Sequence, residues 1–109
     1  MMPEDTGTQK DARSLADLRN IGKAALADFA VLGIETVPQL AEQEPDTLYL
    51  ALCQKTRQRH DPCVHDVFAA AIHQARTGEA RDWWRFTPQR KSRQQAGIFP
   101  VYDAAAPER

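Results

Sequence analysis

The longest regular hydrophobic pattern in the chain runs from Val64 to Ala75 and is typical of an α-helix. Its apolar positions are Val64, Val67, Phe68, Ala71, Ile72 and Ala75, at offsets 0, 3, 4, 7, 8 and 11. At 3.6 residues per turn these offsets fall on one face, whereas a half-buried strand would alternate. Asp61 and Pro62 precede the pattern as a cap and a first-turn proline, and Gly78 follows it as a stop. The pattern therefore predicts a helix with one face in the core.

Start and stop signals predict four further helices, and no strand pattern competes with them. The predicted helices begin near Asp11, Lys23, Thr36, Pro45 and Pro62. Asn20 and Gly22 end the first because both tolerate positive φ, and Gly33 ends the second. Thr36 caps the third, with Gln39 reaching back to it. Trp83, Trp84 and Phe86 add a last helical turn. We predict a small, all-α, five-helix domain.

The 109 residues, 42% of them apolar, suit one domain with a modest core. The polar residues 1–10 predict a disordered N-terminal tail, and residues 92–109, which lack periodicity, predict a flexible C-terminal tail. Residues 11–91 between them are predicted to form the folded domain. The net charge of −1 argues against a protein that coats polyanions, although it can hide a local basic patch. No apolar run approaches the roughly 18 residues of a membrane span, and no signal core precedes Asp11. We expect a cytoplasmic protein with reduced cysteines.

Four potential metal ligands, Cys53, His60, Cys63 and His65, lie within thirteen residues. Their spacing is poor for zinc, because Cys63 and His65 would point about 200° apart on a helix. The cysteines adjoin apolar positions, so buried small side chains explain them, and Asp61 is explained as a helix cap. We predict no metal and no cofactor.

No catalytic constellation is present either. The carboxylates are scattered, no glycine-rich nucleotide loop follows a strand, and no nucleophile has an obvious base. We therefore expect a protein that is not an enzyme and has no small-molecule substrate.

Two stretches carry a resemblance to a known family. Residues 18–40, "LRNIGKAALADFAVLGIETVPQL", resemble a helix-hairpin-helix unit, and they are also similar to the C-terminal domain of the competence regulator TfoX. Residues 48–76, "LYLALCQKTRQRHDPCVHDVFAAAIHQAR", followed by "WWRF", resemble the pathogenicity-locus family, some of whose members are called mitomycin resistance proteins. The resemblance covers roughly residues 14–91. It implies a small helical fold with one helix-hairpin-helix and a possible link to mitomycin or DNA-damage tolerance.

A hairpin of this kind can bind DNA through its backbone, because amides at the start of its second helix point at a phosphate. The candidate groups are the amides of Ile21, Gly22, Lys23 and Ala24, with Arg19 and Lys23 as charges. Asn20 belongs to the turn, where a DNA-binding hairpin prefers glycine, and its side chain occupies space that a phosphate would need. The alternative is a turn that only packs two helices together.

A basic stretch follows the tryptophans and contains Arg85, Arg90, Lys91 and Arg93. We predict that Arg90 and Lys91 contact phosphates, with a solvated surface as the alternative. Trp83 and Trp84 either stack on bases or close the core.

The functional prediction is sequence-independent DNA binding through phosphate contacts. The alternative is a protein-interaction module that self-associates or docks to a DNA-processing or regulatory partner. Apolar residues near the C-terminus motivate this alternative, and they are Trp83, Trp84, Ile98, Phe99, Val101 and Tyr102.

Overall fold

A computed structural model describes residues 13–103, which form five α-helices and no strand. The helices are α1 (Lys23–Leu32), α2 (Val37–Ala41), α3 (Pro45–Thr56), α4 (Pro62–Thr77) and α5 (Thr87–Gln95). Two 3-10 turns complete the fold, Leu15–Asp17 before α1 and Trp83–Phe86 before α5; the second is called the tryptophan turn below. The predicted all-α fold is confirmed. The disordered tail predicted for residues 1–10 lies outside the described residues.

Helix α4 is the centre of the domain, because α2, α3, α5 and the tryptophan turn all pack against it. Its predicted apolar face is confirmed at Phe68, Ala71, Ile72 and Ala75, which are buried. Helix α1 packs on α3, and its Phe29 ring stacks on Phe68 with 5.6 Å between ring centroids. None of the helices between residues 13 and 103 is long and apolar enough to cross a bilayer.

The predicted caps are present where the sequence placed them. Thr36 accepts a hydrogen bond from the Gln39 amide at 3.1 Å, and Gln39 accepts one from the Thr36 amide, which completes a capping box. Gly33 adopts the left-handed conformation at φ 76°, and the amide of Ile34 then donates to the Phe29 carbonyl at 2.9 Å. Ile34 is buried on the last turn of α1, as its position predicts.

The prediction of a helix from about Asp11 to the Asn20 turn is wrong in the described part of the chain. Only Leu15–Asp17 forms a 3-10 turn, and Leu18 is already extended at ψ 146°. Tertiary hydrogen bonds hold this segment: the guanidinium of Arg13 donates to the carbonyls of Gln74 and Ala75 at 3.1 and 3.2 Å. Leu15 and Leu18 still reach the core, as their spacing predicted, so the apolar positions were right and the helical backbone was not.

The prediction of a flexible tail over residues 92–109 is wrong for residues 92–103, the part of it that the structure describes. Helix α5 continues to Gln95, and the segment after it returns to the core, where Phe99 and Tyr102 are only 8% and 9% exposed. Helix α5 escaped prediction because its sequence, "TPQRKSRQQ", has no apolar stripe. Charged side chains attach it instead, since Arg90 binds Asp66 on α4 and Arg93 binds Asp46 on α3.

Candidate nucleic-acid interface

The turn before α1 is held by hydrogen bonds to distant parts of the chain. Asn20 has a left-handed backbone at φ 76°, and its Nδ2 donates to the carbonyl of Arg81 at 2.8 Å. The amide of Arg19 donates to Oε1 of Gln74 at 2.8 Å. The Asn20 side chain is thus committed to Arg81. This hydrogen bond fixes the Asn20 side chain at the turn, where it lines the same surface cavity as Gly22 and Lys23.

The N-terminus of α1 carries no cap from any side chain in residues 13–103. Gly22 is the N-cap residue, and the first turn contains no acidic residue. The first backbone N–H groups of a helix have no partner inside it, so those of Lys23 and Ala24 are open to an acceptor from outside. The amide of Ile21 is different, because it donates to the Leu18 carbonyl at 3.3 Å. Of the four predicted amides, those of Gly22, Lys23 and Ala24 therefore have no hydrogen-bond partner within residues 13–103.

The backbone at Gly22 does not require glycine. Its φ of −111° and ψ of −162° lie in the extended region that any residue can adopt. A Cβ placed there would meet no other atom within 4 Å. The missing side chain therefore leaves open space directly beside the α1 amides, which is the space that an approaching anion needs.

Arginine and lysine side chains border this helix end. Lys23 is exposed and forms no ion pair within residues 13–103. Arg19 pairs with Asp82 at 2.9 Å, and Arg81 pairs with Glu79 at 3.1 Å. These are solvent-exposed pairs, which contribute little to stability and can exchange for a phosphate.

A surface cavity of about 470 Å³ lies next to the turn, and three guanidinium groups line it. They belong to Arg19, Arg81 and Arg85, against the two carboxylates of Glu79 and Asp82. Arg81 was missed from the sequence, because it lies 61 residues after Asn20 and only the fold brings it to the turn.

The prediction for Arg90 is wrong. Its guanidinium is buried and donates from Nη2 to Oδ2 of Asp66 at 2.9 Å. Nη1 donates to Oε1 of Gln94 at 3.1 Å, and Thr87 donates to the same Asp66 carboxylate at 2.8 Å. The hydrogen bonds with Asp66 raise the pKa of Arg90 further above its ordinary value. The side chain holds α5 on α4 and is withdrawn from any phosphate. Its neighbour Lys91 is exposed on α5.

The tryptophans do not close the core. Trp83 is half-buried and Trp84 is 55% exposed, with the two rings edge to face at 5.8 Å. Among the other residues that suggested an interaction surface, Phe99 and Tyr102 are buried, whereas Ile98 and Val101 are each 65% exposed.

Burial and hydrogen-bond partners differ among the cysteines and histidines that the sequence offered as metal ligands. Cys53 is fully buried and Cys63 half-buried, and both are free thiols. Nε2 of His65 is 2.7 Å from Oδ1 of Asp46. Asp61 accepts a hydrogen bond from the Cys63 amide at 2.8 Å, which confirms it as the α4 cap. Across residues 13–103, no three His, Cys, Asp or Glu side chains are grouped closely enough to hold a metal ion.

Residues 13–103 thus define a small all-α domain with an open, cation-bordered helix N-terminus beside a tight turn. The family model described as "pathogenicity locus" matches residues 8–92, and the chain belongs to this family. A relative from Streptomyces lavendulae, named mitomycin resistance protein McrB, is 37% identical over 84 residues, which is 77% of this chain and 80% of the relative. The resemblance to the pathogenicity-locus family inferred from the sequence is thereby confirmed. No solved structure matches the chain.

Proposed function

We propose that this protein is a non-enzymatic, cytoplasmic nucleic-acid-binding protein that holds phosphates at the start of α1 without reading sequence. It would do so as a helix-hairpin-helix does, with the 3-10 turn Leu15–Asp17 in place of the hairpin's first helix. The observation that carries the proposal is the open N-terminus of α1 at Gly22, beside a turn in which the Asn20 side chain is hydrogen-bonded to Arg81. Backbone amides at a helix start bind anions because their N–H groups and the helix dipole both favour negative charge.

The surrounding charges support the same ligand. Around the turn four cations, Arg19, Lys23, Arg81 and Arg85, outnumber by one the carboxylates that line the same cavities, in a chain whose net charge is −1. A local cationic area on a nearly neutral protein favours a polyanion at that one place. Contacts of this type go to the nucleic-acid backbone and carry no base information.

The name of the Streptomyces relative supports a role of this binding in mitomycin tolerance. Survival of a strain that lacks the gene, measured on mitomycin with and without complementation, tests this role separately from binding.

The binding test is fluorescence anisotropy with a labelled DNA duplex and a labelled single strand at increasing salt. Gly22→Ser is the sharpest variant, because serine is at least as good an N-cap as glycine and its hydroxyl accepts from the same amides. We expect unchanged or higher thermal stability together with about fivefold weaker DNA binding, as for the loss of one hydrogen bond.

Lys23→Gln should weaken binding and reduce the slope of log K against log salt by about 0.9 for duplex DNA. Lys55→Gln is the matched control, since it removes the same charge from an exposed lysine in the last turn of α3. Absence of salt-dependent binding in the wild-type protein would show the proposal to be wrong.

The second candidate is a protein-interaction module. The exposed side chains of Trp84, Ile98 and Val101 favour it, although the burial of Phe99 and Tyr102 removes part of the apolar surface. Light scattering discriminates between the candidates, because a monomer that binds DNA supports the first and a dimer that does not bind DNA supports the second.

A further inference from the structure

A second cavity opens between α1 and α4, with a volume of about 380 Å³. Val64, Val67 and Phe68 from α4 form its apolar wall, and Ala25 from α1 faces them. This volume lies within the roughly 300–1,000 Å³ of typical ligand pockets. The cavity is therefore large enough for a small flat group and offers it apolar walls.

The α1–α4 cavity shares its lining with the proposed phosphate site. Gly22, Lys23 and Ala24 line the cavity, as does Asn20. A group in the cavity is consequently next to an anion held by the α1 amides. In a nucleotide the base and the phosphate are separated by one sugar, so one nucleotide can place its phosphate at these amides and its base against the apolar wall.

Asp28 supplies a polar group to this otherwise apolar space. Its carboxylate lines the cavity, is partly buried and has no hydrogen-bond partner within residues 13–103. Burial raises the pKa of Asp28, and the nearby His60 lowers it. A carboxylate without a partner in an apolar cavity can accept a hydrogen bond from an exocyclic amino group, as Asp does from cytosine N4.

We infer that the α1–α4 cavity receives one unpaired base of a single-stranded nucleic acid, with Asp28 accepting from its amino group and the α1 amides holding its phosphate. This inference rests on the proposed function, and it specifies the form of nucleic acid. Bases inside a duplex are stacked and paired, so a single strand or an unpaired end binds more tightly than a duplex of equal charge.

The test compares two labelled decamers with the same number of phosphates, oligodeoxycytidine and an abasic strand, by anisotropy at low salt. We expect oligodeoxycytidine to bind about tenfold more tightly, as for one buried base. Asp28→Asn should abolish the preference for oligodeoxycytidine over oligothymidine. A carboxylate can only accept, and only cytosine offers it an amino group, whereas an amide can accept from cytosine N4 or donate to thymine O4.

Val67→Phe fills the cavity without changing a charge, so it should reduce the affinity for oligodeoxycytidine to that for the abasic strand. Val31→Phe is the control, since Val31 is an exposed residue of α1 that does not line the cavity. Thermal melts confirm that each variant is folded. If Val67→Phe does not fold, the Asp28→Asn comparison still decides the inference.

The outcomes separate the two proposals. Equal binding of both decamers, with salt dependence, leaves phosphate binding in place and overturns the base cavity. A preference that survives Val67→Phe and Asp28→Asn places base contacts elsewhere, for example on Trp84, and also overturns it. No binding of either decamer overturns both proposals.

Discussion

The guanidinium of Arg90 and the carboxylate of Asp66 form an ion pair inside the protein, with Nη2 2.9 Å from Oδ2 and side-chain exposures of 8% and 0%. The pair joins α5 to the N-terminal half of α4. Helix α5 has no apolar stripe, so its attachment to α4 depends on this ion pair and on the hydrogen bond that Thr87 donates to the same carboxylate. A buried charge is costly unless it is paired, which makes each partner depend on the other.

Replacing Arg90 by Met should destabilise the protein by about 3 kcal/mol, because Asp66 is left buried without its counter-charge. The double variant Asp66→Leu with Arg90→Met should recover most of this loss, since no charge remains to be compensated. Lys91→Met, at the exposed neighbouring position, should change stability by at most about 0.5 kcal/mol. Urea denaturation measures all three, and an Arg90→Met variant as stable as Lys91→Met would contradict the burial of the pair.

Phe99→Ala should destabilise the domain by about 3 kcal/mol, as expected for a buried phenyl group. The ring packs on His65 and Tyr49, with 4.9 and 5.8 Å between ring centroids. Ile98→Ala removes an apolar side chain that is 65% exposed and should have little effect. Thermal denaturation compares them, and equal melting temperatures would mean that residues 96–103 are the free tail that the sequence suggested.

The acid stability of the protein should depend on Asp46. Hydrogen bonds from Arg93 lower the pKa of Asp46 below its ordinary 3.8, although burial opposes them. A carboxyl whose pKa is lower in the folded state stabilises the protein above its unfolded-state pKa, and this stabilisation is lost as pH falls through the folded-state pKa. Below about pH 4 the wild-type protein should therefore lose stability more steeply than Asp46→Asn. Melting temperatures measured along an acid series test this, with Arg93→Gln expected to flatten the curve in the same way.

Asn20→Gly should leave DNA affinity within about twofold, because the Asn20 side chain is already hydrogen-bonded to the carbonyl of Arg81 and the proposed phosphate contacts come from backbone amides. Glycine adopts the left-handed conformation at φ 76° without strain, while the variant loses one hydrogen bond, so stability should fall by about 1 kcal/mol or less. Anisotropy with duplex DNA measures the affinity. A tenfold or larger gain would mean that Asn20 shields the amides after all.

Elements with an apolar pattern or a cap could be predicted from the sequence. The inner face of α4, the capping box at Thr36 and the stop at Gly33 are local properties, and the structure has them where the pattern placed them. Helix α5 could not be predicted from local patterns of this kind. It attaches to the domain through Asp66, whose carboxylate is buried on α4.

The candidate site likewise combines residues that local patterns reveal with residues that only the fold brings together. Gly22 and Lys23 could be found from the turn itself, whereas Arg81 reaches it only through the fold. Arg90 was misplaced because a basic residue in a polar stretch looks exposed. Nothing local reveals that its partner is 24 positions earlier, inside α4.

The contacts of the Asn20 turn also determine when, during synthesis, this turn can take its final conformation. The partners of Arg19 and Asn20 are Gln74, Arg81 and Asp82, between 55 and 63 positions later in the chain. A ribosome adds about 5–20 residues per second, so the turn waits several seconds for the residues that fix its conformation. Nascent chains that end before Arg81 therefore carry the residues of the proposed phosphate site without the contacts that fix its turn.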